Sequence, residues 1–324
     1  MRSGTPAPIP VRRPLSHVRP ALRRPVTVVI PHYGDPAPTR ALVEALLAAP
    51  GRSVAAVVVS DDASPEPYPL PAPGEDALRV VRRDVNGGFG ANVNTGLAAV
   101  ETELALVLNS DAEITGEQID ALVAAAPYQP AVVSPQVVND DGTPQWSGRH
   151  FPTVGHQVVE WLTPLARFRH LPALHEAVGH DVAAAHAEAP TPVDWVMGAV
   201  LLLPMAQVRA VGGFDEDYFM NSEEVDLQRR LRDAGVPSIV VPSVRVVHGL
   251  HGSSDPLRRR SWLVDSRFRY ARKFGHPRTL KAALTAATGV NWAVNRVRQA
   301  RGTDVDAAAV FRAERDLIWK GTHR

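Results

Sequence analysis

The 324-residue chain contains no cysteine. Disulfides, thiol catalysis and cysteine metal sites are therefore excluded, and the composition suits a reducing cytosol. Long apolar runs are missing too. None approaches the roughly 20 residues of a membrane-spanning helix, and the N-terminal segment carries arginines and prolines where an export signal has its apolar core. The expectation is a protein that stays in the cytoplasm. An excess of one charge is also absent, because 35 Lys and Arg stand against 34 Asp and Glu, a formal +1. No global field gathers nucleic acid, and no nucleic-acid partner is expected. The histidines between 139 and 190 (His150, His156, His170, His175, His180, His186) lack compact HxxxH or HxH spacing. That argues against zinc and for a mostly solvated surface.

What is present is 45% hydrophobic and 21% charged residues, enough for one large or two small cores. Residues 1–24 are rich in Pro and Arg without periodicity and read as a disordered arm. From Pro25 onward the pattern alternates. Val26–Ile30 is a β-branched run ended by Pro31, a helical pattern runs through Leu42, Leu46 and Leu47, and a second strand follows at Val54–Val59. A proline-rich loop (65–73) leads to a strand at Leu78–Val81, a glycine-rich turn, a helix near Asn92–Val100 and a strand at Leu104–Leu108. The alternation predicts an α/β fold with a mostly parallel sheet covered on both faces. Residues 139–190 read as loops and short helices of an acceptor-side insertion or lid. From Arg258, arginines alternate with Trp262, Phe268, Tyr270 and Phe274 ahead of a helical tail. Such a basic helix can rest on an anionic membrane, although a packed helix with a solvated basic face is favoured.

Ligands of parallel sheets sit at the carboxyl ends of strands. The polar residues of this half fall there: Asp61, Asp62 and Ser64, then Asn86, then Asn109-Ser110-Asp111. A carboxylate and an amide after a buried strand form an incomplete oxygen cage, which suits a hard divalent cation shared with substrate phosphates. His248 can add an imidazole, a set open to manganese as well as magnesium. The rival role for Asp111 is a turn or helix cap. The glycine run from Asn86 to Asn94 opens a helix and suits a diphosphate. It is a poor dinucleotide fingerprint, because Val93 stands where the third glycine belongs.

The most informative stretch is 194–254. There Trp195 and an apolar run through Gly198 lead into Gly212-Gly213-Phe214-Asp215-Glu216, then Glu223-Glu224-Val225-Asp226-Leu227, then His248. Carboxylates just after a buried strand are costly unless they bind metal, pair with cations or do chemistry. Glu223 and Glu224 can also be first-turn charges of a helix, and Asp226 can pair with Arg229 or Arg230. Trp195 can stack on a sugar or fill core.

The ordered succession of the Val-Ile-Pro strand, Ser60-Asp61-Asp62-Ala63-Ser64, Asn86-x-Gly88-Phe89 with Asn94-x-Gly96, Asn109-Ser110-Asp111, the Gly213-Phe214 turn, the acidic string and His248 resembles family 2 glycosyltransferases. It is most similar to their rhamnosyltransferase-like and galactofuranosyltransferase-like branch, over about residues 26–275. The resemblance implies a GT-A (Rossmann-like) sheet flanked by helices, a nucleotide-sugar donor, a divalent Mg2+ or Mn2+ ion and inversion at the anomeric carbon. Its nucleotide-sugar half would be 25–138, its acceptor half 139–254, and 255–324 a basic helical extension.

By the same resemblance, Asp61 matches the acidic residue that holds the base or ribose, with Asp62, Asn86, Gly88, Asn94 and Asn109 beside the donor. Asp111 and His248 match the metal site. Glu224 takes the general-base position, with Glu223 and Asp226 as alternatives because glutamate is one methylene longer than the family's usual aspartate. Trp195, Gly198, Gly213 and Phe214 fall on the acceptor side. The branch suggests dTDP-rhamnose as donor, a UDP-sugar being the other option, and a hydroxyl of a glycan, glycolipid or small molecule as acceptor. Two other classes differ in kind. A nucleotidyltransferase needs a basic glycine-rich loop after the first strand, where this chain has Pro31-His32-Tyr33-Gly34-Asp35. A non-catalytic sugar-nucleotide binder has no need of the acidic string.

Overall fold

The computed structural model describes residues 24–72, 74–127, 129–249 and 256–321. The arm read at 1–24 lies outside them, apart from Arg24. In chain order the elements are β1 (Val26–His32), α1 (Pro36–Ala48), β2 (Val54–Asp61), β3 (Leu78–Arg82), α2 (Phe89–Ala98), β4 (Leu104–Leu108), β5 (Ala112–Glu113), α3 (Gly116–Ala125) and β6 (Val132–Val138). There follow β7 (Gly148–Arg149), α4 (Val154–Trp161), α5 (Pro172–Ala177), α6 (Val182–Ala185), β8 (Thr191–Val193), β9 (Trp195–Val196), β10 (Val200–Pro204), α7 (Met205–Ala210), α8 (Glu223–Asp233) and β11 (Ser238–His248). Three helices close the chain: α9 (Pro256–Phe274), α10 (Pro277–Ala300) and α11 (Ala307–Gly321).

Local chemistry explains the early elements. β1 and β4 are buried along nearly their whole length, as strands covered on both faces must be. β1 runs past Pro31 because pairing with β4 stops at Val29↔Val107, while Pro31 still faces Ser60 of β2. A residue without N–H is tolerated where one side of the ladder has already ended. α1 starts where Asp35 accepts the Ala37 N–H at 3.0 Å, and α3 where Thr115 and Gln118 form a reciprocal capping box.

The main sheet has the order β3-β2-β1-β4-β10-β6-β11-β5, with β8 beside β11. β3, β2, β1 and β4 are parallel neighbours and β6 is parallel to β11, whereas β10 runs antiparallel to both β4 and β6. The mostly parallel expectation holds, and the segments 25–138 and 139–254 share this one sheet. β10, from the second half, lies between two strands of the first.

The C-terminal helices are likewise built in. They pack on α4 around Trp161, Val264, Phe268, Leu280, Leu284 and Ile318. Four basic groups of α9 pair with acids of the protein: Arg260 with Glu314 (2.9 Å), Arg267 with Glu160, Arg269 with Asp215 (2.9 Å), and Lys273 with Asp215 (2.9 Å) and Asp226 (2.6 Å). The packed-helix reading of this segment fits these contacts, while Arg258, Arg259 and Arg272 stay exposed. Its paired cations hold the fold because buried or half-buried acids draw them inward. No described helix is long and apolar enough to cross a membrane.

Candidate active site

At the ends of β2 and β3 the two aspartates do different work. Asp61 is buried, and its carboxylate accepts the backbone N–H groups of Ser64 (2.9 Å) and Tyr68 (3.1 Å) and the Arg82 guanidinium. Burial pushes its pKa up, but these donors outweigh burial and hold it below the usual range. Asp62 accepts the N–H groups of Gly87 and Gly88, both at 2.9 Å, and lies 3.1 Å from Arg83 Nε. Its pKa is raised, burial being the largest cause. Gly88 sits at φ +85°, and a Cβ there would lie 1.9 Å from the Phe219 carbonyl oxygen. Only glycine fits.

A cavity opens beside this turn, lined by His32, Asp62, Asn86, Gly88, Asn92 and Trp262 among others. The Asp61 carboxylate shapes the turn, and Asp62 reaches the cavity wall. Asn94 lies elsewhere. Two residues beyond Asn92 on α2, it projects from nearly the opposite side of the helix. Its amide accepts the Phe214 N–H (2.9 Å) and donates to the Phe214 carbonyl (2.9 Å). It also packs on Gly213, whose φ is +71° and where a Cβ would lie 2.7 Å from Asn94 Oδ1. Phe214 is buried in the core with Leu227 and Leu231, so Gly213 and Phe214 support the site from beneath and do not face an acceptor.

At the end of β4, Asn109 donates its N–H to the Ala199 carbonyl at 2.9 Å. The short pairing of β5 with β11 sets Ala112 opposite His248. This brings His248 Nε2 to 3.1 Å from Asp111 Oδ1 and 3.2 Å from Asn109 Nδ2. Neighbouring ligands of one octahedral ion, each about 2.1 Å from it at right angles, lie about 3.0 Å apart. The Asp111 and His248 atoms fit that spacing. Among the described residues no group of three or more His, Asp or Glu could hold a metal. An ion on Asp111 and His248 would thus complete its shell from substrate oxygens and water.

The acidic string starts α8 after two consecutive left-handed residues, Asn221 (φ +72°) and Ser222 (φ +68°). Such backbone costs on the order of 1–3 kcal/mol per residue and persists where the surroundings enforce it, often at functional sites. Glu223 is buried, Glu224 is half-buried, and in each Oε2 is sealed from solvent without a hydrogen-bond partner. Burial, then the neighbouring Glu224 charge, raises the Glu223 pKa well above the ordinary carboxylate value. Burial raises that of Glu224, with the Arg149 charge opposing it. Asp226 differs. It is fully buried, 2.6 Å from both Arg230 Nε and Lys273 Nζ. Of the two pairings expected for it the Arg230 one forms, while Arg229 pairs with Asp233 at 3.4 Å. Asp226 thus sits in a buried ion pair, which sets it apart from Glu223 and Glu224.

Glu224 faces a second cavity together with Arg149, His150, Trp195, Arg267 and Tyr270. Gly198 keeps its flank open, since a Cβ there would lie 3.8 Å from Glu224 Oε1. Trp195 is buried, its indole N–H donates to the His150 carbonyl (2.9 Å), and the Arg149 guanidinium lies 5.3 Å from its ring centroid. Four of the histidines expected at the solvated surface are half-buried here. His175 and His180 stack on Trp146 and meet each other Nδ1 to Nδ1 at 3.0 Å, and burial lowers the His180 pKa to about 3. His150 pairs with Glu176 at 2.8 Å. Only His170 and His186 are exposed. Their sequence spacing carried no sign of this, because the stack is closed by Trp146, far from both in the chain.

Sequence reasoning passed over Gln145, Arg149, Arg267, Tyr270 and the Asn221-Ser222 turn. One signal was available: Gln145, Ser147 and Arg149 alternate at the strand period just after an Asp-Gly turn.

The fold is that of GT-A glycosyltransferases. The chain is similar to the crystal structure of GalNAc-T7 with UDP, GalNAc and Mn2+ at a TM-score of 0.56 and 14% identity, over 91% of this chain and 54% of that one. Residues 27–185 match the description of Glycosyl transferase family 2. Among curated relatives, an N-acetylglucosaminyl-diphospho-decaprenol L-rhamnosyltransferase of Mycobacterium tuberculosis is 30% identical over 195 residues, 53% of this chain and 58% of that protein. The rhamnosyltransferase WbbL of Escherichia coli is 38% identical over 86 residues, 26% of this chain and 33% of that protein. The chain thus spans less than two thirds of the length of either relative. Residues 27–185 thus carry a family 2 glycosyltransferase domain, and the chain is similar to rhamnosyltransferases of that family.

Proposed function

We propose that this chain transfers a sugar from a nucleoside-diphosphate donor to an acceptor hydroxyl with inversion, using Glu224 as general base. The observation that carries the reading is Glu224 itself, a carboxylate with an unpartnered oxygen on a cavity wall, beside the opening that Gly198 leaves. A hydroxyl is a poor nucleophile at neutral pH, and Glu224 would take its proton as the oxygen attacks the anomeric carbon. The bond to the nucleoside diphosphate breaks on the opposite face, so no covalent intermediate forms. A divalent ion held by Asp111 and His248, when bound, supplies Lewis-acid neutralisation of the departing diphosphate. The cavity by Asp62, Asn86 and Gly88 would receive the donor, with Asn109 at its metal end. The cavity by Arg149, Trp195 and Glu224 would receive the acceptor.

The relatives' names favour an L-rhamnose donor, which the resemblance suggests is dTDP-rhamnose, and a lipid-linked or cell-surface glycan as acceptor. A UDP-sugar is the alternative donor. A lipid-linked acceptor would bring the site to the cytoplasmic face of a membrane. The test incubates the chain with dTDP-rhamnose and a panel of UDP-sugars, with Mn2+, Mg2+ or chelator, and follows nucleoside diphosphate release. The expected result is metal-dependent release with one donor, lost in Asp111→Ala while the melting temperature is kept. Donor binding without release under any condition would support the non-catalytic binder instead. Equal release by Asp111→Ala and parent at saturating Mn2+ would remove Asp111 from the site.

A further inference from the structure

Gln145 is buried between the metal-side histidine and the loop at 139–143. Its side-chain amide grips His248 twice. Nε2 donates to the His248 backbone carbonyl at 2.7 Å and to Asn139 Oδ1 at 2.8 Å, while Oε1 lies 2.9 Å from His248 Nδ1. A backbone carbonyl can only accept, so the end of the amide that faces it must be the NH2. The end that faces the ring is then the oxygen, an acceptor, and Nδ1 must carry the hydrogen. In the neutral ring this leaves Nε2 with its lone pair. Asn109 Nδ2, a donor 3.2 Å from Nε2, agrees with that tautomer. On the same side Asp111 Oδ1 stands 3.1 Å from Nε2, so two electron-pair donors face one position where a cation belongs.

From this geometry we infer that Gln145 is a positioning residue: it sets the Nδ1–H tautomer of His248 and aims the Nε2 lone pair at the position shared with Asp111. The Gln145 side chain bonds only His248 and Asn139; its backbone carbonyl, which side-chain substitution leaves in place, accepts from Arg149 of the acceptor cavity at 3.4 Å. Partners that fix the far nitrogen of a ligating histidine typically contribute 10–100-fold to metal affinity or activity. The inference rests on the reading of Asp111 and His248 as cation ligands, but part of its test does not depend on that reading.

The experiment records nitrogen-resolved imidazole spectra of the metal-free protein, with His248 assigned by difference against His248→Asn, and measures Mn2+ affinity by titration in the presence of dTDP. The parent should show His248 as the Nδ1–H tautomer. Gln145→Leu should shift His248 toward Nε2–H or a mixture and weaken Mn2+ about 10–100-fold. Gln145→Glu keeps an acceptor opposite Nδ1 but sets a second oxygen against the His248 carbonyl, so it should restore the tautomer and only part of the affinity. An Nε2–H tautomer in the parent overturns the inference even if neither variant folds. So does a folded Gln145→Leu that keeps the parental tautomer and Mn2+ affinity within twofold. Failure of the metal reading itself looks different: parent and Asp111→Ala would then bind Mn2+ equally, while the imidazole spectra still report whether Gln145 sets the ring.

Discussion

The donor-side turns and the start of α8 both bury carboxylates, and they treat them in opposite ways. Asp61 and Asp62 are surrounded by backbone N–H groups and arginines, and every contact they make tightens a turn. Glu223 and Glu224 stand on a strained left-handed turn and each leaves an oxygen sealed from water without a partner. A buried, fully bonded carboxylate is architecture, since its charge is already matched; for Asp61 the donors hold the pKa below the ordinary value, while burial keeps that of Asp62 above it. A buried, unmatched one is held at a cost that the rest of the fold must offset, and its raised pKa suits proton transfer. Asp226, three residues into α8, belongs with the first group although it lies in the same string as the second.

The contrast breaks most visibly at Glu224. Glu224→Gln should keep donor affinity and lower transfer by about 10²–10⁴-fold, the usual contribution of general-base catalysis. Equilibrium donor binding and single-turnover transfer separate the two effects. A near-parental rate would mean that the unmatched carboxylate is not the base.

Asp226→Asn should do the reverse. Removing one partner of a buried ion pair costs about 3–5 kcal/mol, and the lower end applies here because Arg230 and Lys273 can reach solvent. Denaturant unfolding should show that loss, with transfer per folded molecule changed far less than in Glu224→Gln. A stable, inactive Asp226→Asn would return Asp226 to the chemistry.

The third outcome is a pH profile. Glu224 must be ionised to accept a proton, and its pKa is raised chiefly by burial. Transfer should therefore fall on the acid side with a midpoint above the ordinary carboxylate value. Arg149→Leu should move that limb to still higher pH, because the guanidinium favours the ionised form. A limb at the ordinary value, unmoved in the variant, would show that Glu224 is solvated when it works.

The smallest effect concerns Glu223. Its folded pKa is raised, so the stability its neutral form contributes is present below the unfolded pKa and lost as pH rises through the folded one. Glu223→Gln, neutral at every pH, should match the parent near pH 4 and melt a few degrees higher near pH 8. A lower melting temperature at pH 8 would mean that the ionised Glu223 has a partner in solution.

Much of the scaffold was legible because its signals are local. The β-branched runs of β1 and β2, the apolar spacing of α1 and the polar residues at strand ends follow from residues a few positions apart, and they were enough to place Asp62, Asn109, Asp111 and Glu224 near a site. The distinction among Glu223, Glu224 and Asp226 was not legible. It depends on Lys273 of α9, Arg149 and Gly198, all distant in sequence, and on which side of one helix turn each carboxylate faces. The side of α2 that Asn94 takes was not legible either, since two residues along a helix nearly reverse the direction of a side chain.

By itself the sequence determined the α/β pattern, the glycines that tight turns require and the order of polar motifs that marks a family 2 glycosyltransferase. Only the tertiary structure decided which acids are matched, that β10 enters the sheet antiparallel between β4 and β6, that Arg260, Arg267 and Arg269 of α9 pair with acids of the protein, and that Gln145 holds His248. The physical reason is that charge matching, desolvation and tautomer choice are set by atoms within about 4 Å, and those atoms arrive from segments that the chain keeps far apart until it folds.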